Sequence, residues 1–341
     1  MDKSILNQFL HEYDVKRNKA IEEAKQRKVD LINANPKLLD IENKIAKNSL
    51  AISKSILLSD KKNQDSLLSN LKKENSKLIK EKKALIKSIT NSTTYFSPNF
   101  ECKLCQDTGY VTKNGVSSLC SCLKQKIYDV YYNKSNIGNI EKENFSTFNE
   151  KLFSTTKNKE KYNSDLSPRE NIVIIKDKAQ SFIDNFDDIS EKNLIFTGTT
   201  GTGKTFLTNC IASELLKLNK TVLYQTAPVM FDKILNEKFQ KEPFSNNFFE
   251  NILTVDLLII DDLGSENISD SKISDLFTII NTRLLNQNHR ITKTIISTNL
   301  TIEELFNFYT SRIGSRLAGN YRFLRFFGDD LRFKKDNWNF T

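Results

Sequence analysis

GTTGTGKT, residues 198–205, sets three glycines, a lysine and a threonine at the spacing G-x-x-x-x-G-K-[ST]. The apolar stretch NLIFTG runs into it and a helix-forming segment follows, which is the setting a phosphate loop requires. Gly198, Gly201 and Gly203 would let backbone N–H groups turn inward around a phosphate chain, with Thr199, Thr200 and Thr202 completing the loop. Lys204 would reach the β- and γ-phosphates of ATP, and Thr205 would hold Mg2+ through its hydroxyl. The helix start adds the positive end of its dipole. The chain has ten glycines and three of them fall here, which argues against a chance turn.

A second run, LLIIDDLG, ends an apolar strand in acids. Asp261 is placed to share the Mg2+ with Thr205, and Asp262 to polarise an attacking water, with Glu266 as the alternative base. STN closes another strand, so Asn299 is a candidate to orient that water or touch the γ-phosphate. The alternative is that Asn299 caps the helix opened by TIEELF. Lysine outnumbers arginine 41 to 10, yet five arginines (Arg312, Arg316, Arg322, Arg325, Arg332) fall between 312 and 332. Arginine's planar fork suits phosphate. In SRIGSRL, Arg312 and Arg316 share a helical face and suit a finger reaching a neighbouring subunit's γ-phosphate; the alternative is two surface arginines.

The third cluster is Cys102, Cys105, Cys120 and Cys122, spaced C-x2-C-x14-C-x-C. Four thiolates brought together by a loop make a structural zinc site; an iron–sulfur cluster or unliganded redox thiols are the alternatives. Cys210, in the helix after the phosphate loop, reads as a buried small residue.

Around these clusters the pattern predicts three kinds of structure. Residues 1–90 carry helical periodicity broken at Pro36, with a helix over Leu38–Leu58, a polar turn at SDKKNQDS, and leucines seven apart at Leu71, Leu78 and Leu85. Residues 91–130 hold the cysteines and 131–169 a linker. From 170 to 341, apolar strands at 193–198, 221–226, 256–264, 292–299 and 321–328 alternate with helices, which predicts an α/β fold with a buried parallel sheet.

The net charge of +9 lies mostly in residues 1–100, which hold 20 Lys/Arg against 12 Asp/Glu. That excess suits a solvated helical surface, an acidic partner or nucleic acid. No apolar run is long enough to span a membrane and the first residues show no secretory pattern, so the expectation is a cytoplasmic protein.

GTTGTGKT, LLIIDDLG, STN, SRIGSRL and the tail FFGDDLR together resemble the AAA+ ATPases, and more closely the helicase loaders of the DnaC/DnaI type with their IstB-like relatives. The resemblance covers roughly 170–335. It implies an AAA+ P-loop NTPase domain in which Asn299 is sensor 1, Arg312 the arginine finger and Arg316 the second basic position of that box. Arg332 would be a γ-phosphate sensor. About a dozen residues follow the last strand, leaving no room for a C-terminal helical lid. An Asp at the base position suggests slow, switch-like hydrolysis. The resemblance further implies a helical arm (1–90) that grips the replicative DNA helicase hexamer, a zinc element (91–130) that joins arm to ATPase, contact with single-stranded DNA, and a homo-oligomer assembled on the helicase. Two alternatives stand beside the loader. One is an IstB-like transposition helper acting on duplex DNA; the other is a zinc-dependent DNA-binding adaptor that uses ATP only structurally.

Overall fold

A computed structural model describes residues 3–58, 64–92, 94–130, 142–239 and 248–335. Residues 59–63 of the polar turn and 131–141 of the linker lie outside them. Contacts divide the chain into two compact units, residues 7–116 and residues 117–341 with 1–6.

The first unit holds three helices, α1 (Lys3–Asn33), α2 (Pro36–Leu58) and α3 (Gln64–Thr90). The helix expected from Leu38 begins at Pro36 because proline's fixed φ and missing N–H suit the first helical turn. Asn35 closes the preceding turn, its side-chain amide donating to Leu31 O at 2.7 Å. Buried Phe9, Ala24, Leu38, Ile41 and Ile86 form the interior. Glu42 on α2 accepts from Lys82 on α3 and lies 4.0 Å from Lys28 on α1, so one carboxylate ties three helices.

In the second unit a short helix α4 (Ser121–Tyr128) follows a hairpin of β1 (Tyr110–Lys113) and β2 (Val116–Leu119) that straddles the division. Helix α5 (Lys159–Tyr162) comes next, then α6 (Pro168–Asp184), which opens with a Ser167/Glu170 capping box and Pro168 in its first turn.

The sheet strands are β3 (Asn193–Thr197), β4 (Val222–Thr226), β5 (Leu257–Leu263), β6 (Lys293–Thr298) and β7 (Tyr321–Arg325). All are parallel, in the order β4-β5-β6-β3-β7. β3 and β6 are buried along their whole length, so their continuous apolar runs lie between helical layers. One layer uses α6 and α7 (Lys204–Lys217). The other uses α8 (Ala227–Phe239), α9 (Phe248–Thr254), α10 (Asp270–Asn286), α11 (Ile302–Phe308) and α12 (Ser311–Asn320). A last turn, α13 (Arg332–Lys335), ends the described chain.

Strand order positions the site. β3 lies between β6 and β7 although both come later in sequence: from the carboxyl end of β3 the chain crosses to β4 on one side, and from that of its neighbour β6 it crosses to β7 on the other. Such a switch point is where parallel sheets hold ligands. Beneath it, Arg283 is 1% exposed and donates to Ile252 O, Val255 O, Lys293 O and Thr294 Oγ1, pinning the far ends of β5 and β6. Burial pushes that guanidinium down to about 9.

Candidate nucleotide site and cysteine cluster

Gly198 leaves β3 at φ +133°, and a Cβ there would lie 1.9 Å from Phe326 O at the end of the neighbouring strand. Only glycine lets the chain turn this close to β7. Thr202 Oγ1 donates to Thr199 O at 2.7 Å across the loop, and Gly203 at φ +93° hands the chain to α7. Thr200 lies in the same loop and is exposed.

Lys204 is 6% exposed and points back into the loop. Its Nζ donates to Gly198 O (2.6 Å), Thr199 O (2.9 Å) and Asn299 Oδ1 (2.7 Å). Burial pushes the ammonium down to about 8, Arg332 adds to the fall, and Asp262 and Asp261 oppose it. The carboxyl ends of β3, β5 and β6 therefore converge on one lysine. The cap of α11 is Thr301, whose hydroxyl accepts from Glu304 N at 3.2 Å. Asn299 is thus not needed as that cap, and its side chain meets Lys204.

Asp261 is 4% exposed and accepts from Tyr224 on β4 and Ser297 on β6. Thr205 Oγ1 lies 3.3 Å from Asp261 Oδ2. A hydroxyl and a carboxylate from facing elements are the oxygen ligands a Mg2+ between phosphates uses, so the pair fits that ion. Tyr224 was not among the residues the sequence singled out. Its only signal was a polar-headed aromatic inside VLYQT, and burial beside Asp261 raises its phenol far above the ordinary range.

Asp262 adopts φ +54°, uncommon for a residue with a side chain, and the β5–β6 register shifts between Ile260 and Leu263. In a regular strand Asp261 and Asp262 would face opposite sides. The bulge lets both carboxylates act on Lys204. Ser297 bridges the two, accepting Asp262 N at 3.0 Å. Burial and the Asp261 charge raise the Asp262 carboxyl, against Lys204 and Arg332. Glu266 is 6% exposed, with one oxygen taken by the Tyr309 hydroxyl and the other by Gly264 N at 2.9 Å.

The tail returns to the loop. Leu331 N donates to Gly201 O at 2.9 Å, and a Cβ on Gly201 would lie 1.9 Å from Asp330 Oδ1. Arg332, whose N donates to the Asp330 carboxylate, is near enough to affect both Lys204 and Asp262. Arg312 and Arg316 are elsewhere. Both are exposed on α12, whose Ile313 and Leu317 are buried. Arg316 Nε donates to Asn281 Oδ1 at 3.2 Å, and among the described residues neither arginine touches the phosphate loop.

The sulfurs of Cys102, Cys105, Cys120 and Cys122 all lie within 4.8 Å of one another. None of the four is in a disulfide. Consecutive left-handed residues Gln106 (φ +52°) and Asp107 (φ +55°) reverse the chain. Gln106 N donates to Cys102 O at 2.8 Å, and the buried Asp107 carboxylate accepts from Glu101 N (2.9 Å) and Cys102 N (2.8 Å). Cys120 is extended just before α4 and Cys122 lies in its first turn. Four converging thiols, three of them buried, could hold a metal ion and fit a thiophilic divalent cation.

A phosphate loop whose lysine meets a strand-end Asn, above a carboxylate paired with the loop threonine, is the arrangement of an ATP-binding domain. Residues 150–316 match the family model described as IstB-like ATP binding protein. That stretch is similar to the ATP-binding domain of this family. No curated protein matched the chain. Among solved structures, this domain is similar to that titled crystal structure of the DnaC helicase loader, at 22% identity over 55% of this chain and 99% of that one, TM-score 0.43. A putative primosome component from Streptococcus pyogenes is 18% identical over 56% of this chain and 88% of that one, TM-score 0.42. AMPPCP-bound DnaA from Aquifex aeolicus is 24% identical over 49% of this chain and 50% of that one, TM-score 0.40. Among the described residues no helix is long and apolar enough to cross a membrane.

Proposed function

We propose that the protein is an ATP-dependent loader of the replicative DNA helicase, with ATP binding and slow hydrolysis switching its contacts to helicase and single-stranded DNA. The observation that carries this reading is the split of the ATPase residues. Lys204, Asn299, Asp261 and Asp262 gather at the phosphate loop, while Arg312 stays exposed on α12. A site built this way is finished by a neighbouring copy, so hydrolysis is coupled to assembly. The motifs shared with DnaC/DnaI-type loaders support the partner. In this reading residues 1–90 are the helicase-binding arm, 91–130 a zinc-held joint, 131–169 a linker and 170–341 the ATPase domain.

In the bound state Gly198 to Thr205 wrap the phosphates and Lys204 exchanges the loop carbonyls for the β- and γ-phosphates. Thr205 and Asp261 would hold a Mg2+ ion, which would supply neutralisation of phosphate charge. Asp262 takes the attacking water's proton; Glu266, held by Tyr309 and Gly264, is committed to the loop after β5. Asn299 orients the water, Arg332 contacts phosphate, and Arg312 of a neighbour reaches the γ-phosphate with that neighbour's Arg316 as the second basic group beside it. Size-exclusion chromatography with light scattering, on full-length protein mixed with its own cell's helicase, tests the loader. An ATP-dependent stoichiometric complex is expected. No complex with any nucleotide, together with ATP-dependent assembly on duplex DNA, would move the reading to the transposition helper that the IstB-like match favours.

ATP affinity should depend on pH through Lys204. Below about 8 the free protein already carries the ammonium, so affinity is flat. Above it the amine must take up a proton to bind phosphate, and the bound anion raises its pKa. Affinity should then fall, approaching tenfold per pH unit. Titrating a fluorescent ATP analogue between pH 7 and 9 checks this; an affinity that does not fall above pH 8 rejects it.

Zinc is the proposed occupant of the cysteine cluster. Purified protein should contain about one zinc per chain, and Cys105→Ser should lose it along with a cooperative part of thermal unfolding, because such binding is folding free energy. Elemental analysis and calorimetry decide. Iron with visible absorbance would replace zinc by an iron–sulfur cluster.

A further inference from the structure

In α3 the charges sort by direction. Glu74 and Glu81 face α2, where their fields reach Lys44, and Lys82 pairs with Glu42. The opposite, exposed side carries Lys72, Lys73, Lys77, Lys80, Lys83 and Lys87, interleaved with Ser69, Ser76 and Ala84. At 100° per residue these six fall within one sector, which between Lys72 and Lys87 contains no acid, and at 1.5 Å per residue they span about 22 Å. None of the six makes an ion pair among the described residues. The same-unit helices differ: Lys25 pairs with Glu22 on α1 and Lys44 with Asp40 on α2. A shallow groove of about 650 Å3 runs along the stripe past Lys72, Lys73, Ser76, Lys77 and Lys80.

Six like charges held on a rigid rod repel one another, and polyanion binding relieves that repulsion while releasing counterions. The ligand's form follows from what the face lacks. Single-strand binders stack bases on aromatic rings, and this face has none. Its lysines and serines offer only point charges and hydroxyls, the chemistry that follows a regular phosphate backbone without reading bases.

We propose that the lysine face of α3 binds the backbone of duplex DNA, without sequence preference and independently of nucleotide. It lies outside the IstB-like domain and does not use the ATP site, so it goes beyond the loader reading. A loader would use it to keep hold of duplex beside the strand on which the helicase is placed.

Fluorescence anisotropy tests this with full-length protein, a 25-base-pair duplex and a 25-nucleotide single strand, without nucleotide, at several salt concentrations. Engagement of all six lysines gives a slope of log affinity against log salt near −5. Replacing four of them together (Lys73→Gln, Lys77→Gln, Lys80→Gln, Lys87→Gln) should weaken duplex binding at least tenfold and flatten the slope by about 3 to 4. ATP affinity and circular dichroism should not change, and the four Lys→Arg replacements should keep binding. Three results would each overturn the proposal. Duplex affinity and slope could be unchanged in the Gln variant. The single strand could be bound more tightly through the same lysines. Or the Gln variant could keep duplex binding but lose the helicase complex, making the face a protein-docking surface.

Discussion

Lys204→Ala should abolish ATP binding, weakening affinity by roughly a hundredfold or more. The Nζ is buried and aimed by three acceptors, Gly198 O, Thr199 O and Asn299 Oδ1, so its position is set before any phosphate arrives. Each hydrogen bond from a charged donor contributes about 1.5–3 kcal/mol. Two phosphate contacts therefore make the loss roughly 10²- to 10⁴-fold. The variant should remain folded, because the lysine's partners are loop carbonyls at the mouth of the site rather than core groups. Titration with a fluorescent ATP analogue, beside a thermal melt, measures both. Affinity within threefold of the parent, in a variant that melts normally, would remove Lys204 from the phosphate site.

Arg312→Ala should have the opposite profile. Arg312 is exposed on α12 and away from its own chain's phosphate loop, so ATP binding to the isolated protein should be unchanged. Hydrolysis in the assembled complex should fall about 10³-fold, the scale on which an arginine finger acts. Arg316→Ala should cost less, because its guanidinium already donates to Asn281. The α12 backbone should tolerate both changes. Its buried side is Ile313 and Leu317, and Gly314 sits where a Cβ would lie 2.0 Å from the Phe306 ring. Steady-state phosphate release, with and without helicase, gives the answer. Equal rates for parent and variant in a complex of the same size would end the finger assignment.

Much of this was legible because it is local. GTTGTGKT names its own loop, since glycine spacing and a following helix are set within eight residues. The five apolar runs named their strands, and parallel pairing followed from their burial on both sides. The cysteines were legible for the same reason: a reversal at Gln106 and Asp107 and a hairpin bring residues 102–122 together without distant help. Pro36 marked a helix boundary that the structure moves by two residues, because a break in one helix is also a good start for the next.

Other features needed the folded sheet. The sequence left Asn299 between helix cap and phosphate sensor; the cap falls to Thr301 and the amide meets Lys204 because β6 ends beside β3. Periodicity sends Asp261 and Asp262 to opposite faces, and a register shift between β5 and β6 overrides it. Tyr224 and Ser297 hold Asp261 from the two strands flanking β5, a relation fixed by strand order, which no single segment encodes. Glu266 read as a second base until Tyr309, 43 residues away, proved to hold its carboxylate. The sequence alone determined which groups are present and in what local geometry, because loop, helix and turn propensities act over a few residues. Tertiary structure alone decided which of those groups meet, because strand order and a single bulge set distances between segments that are remote along the chain.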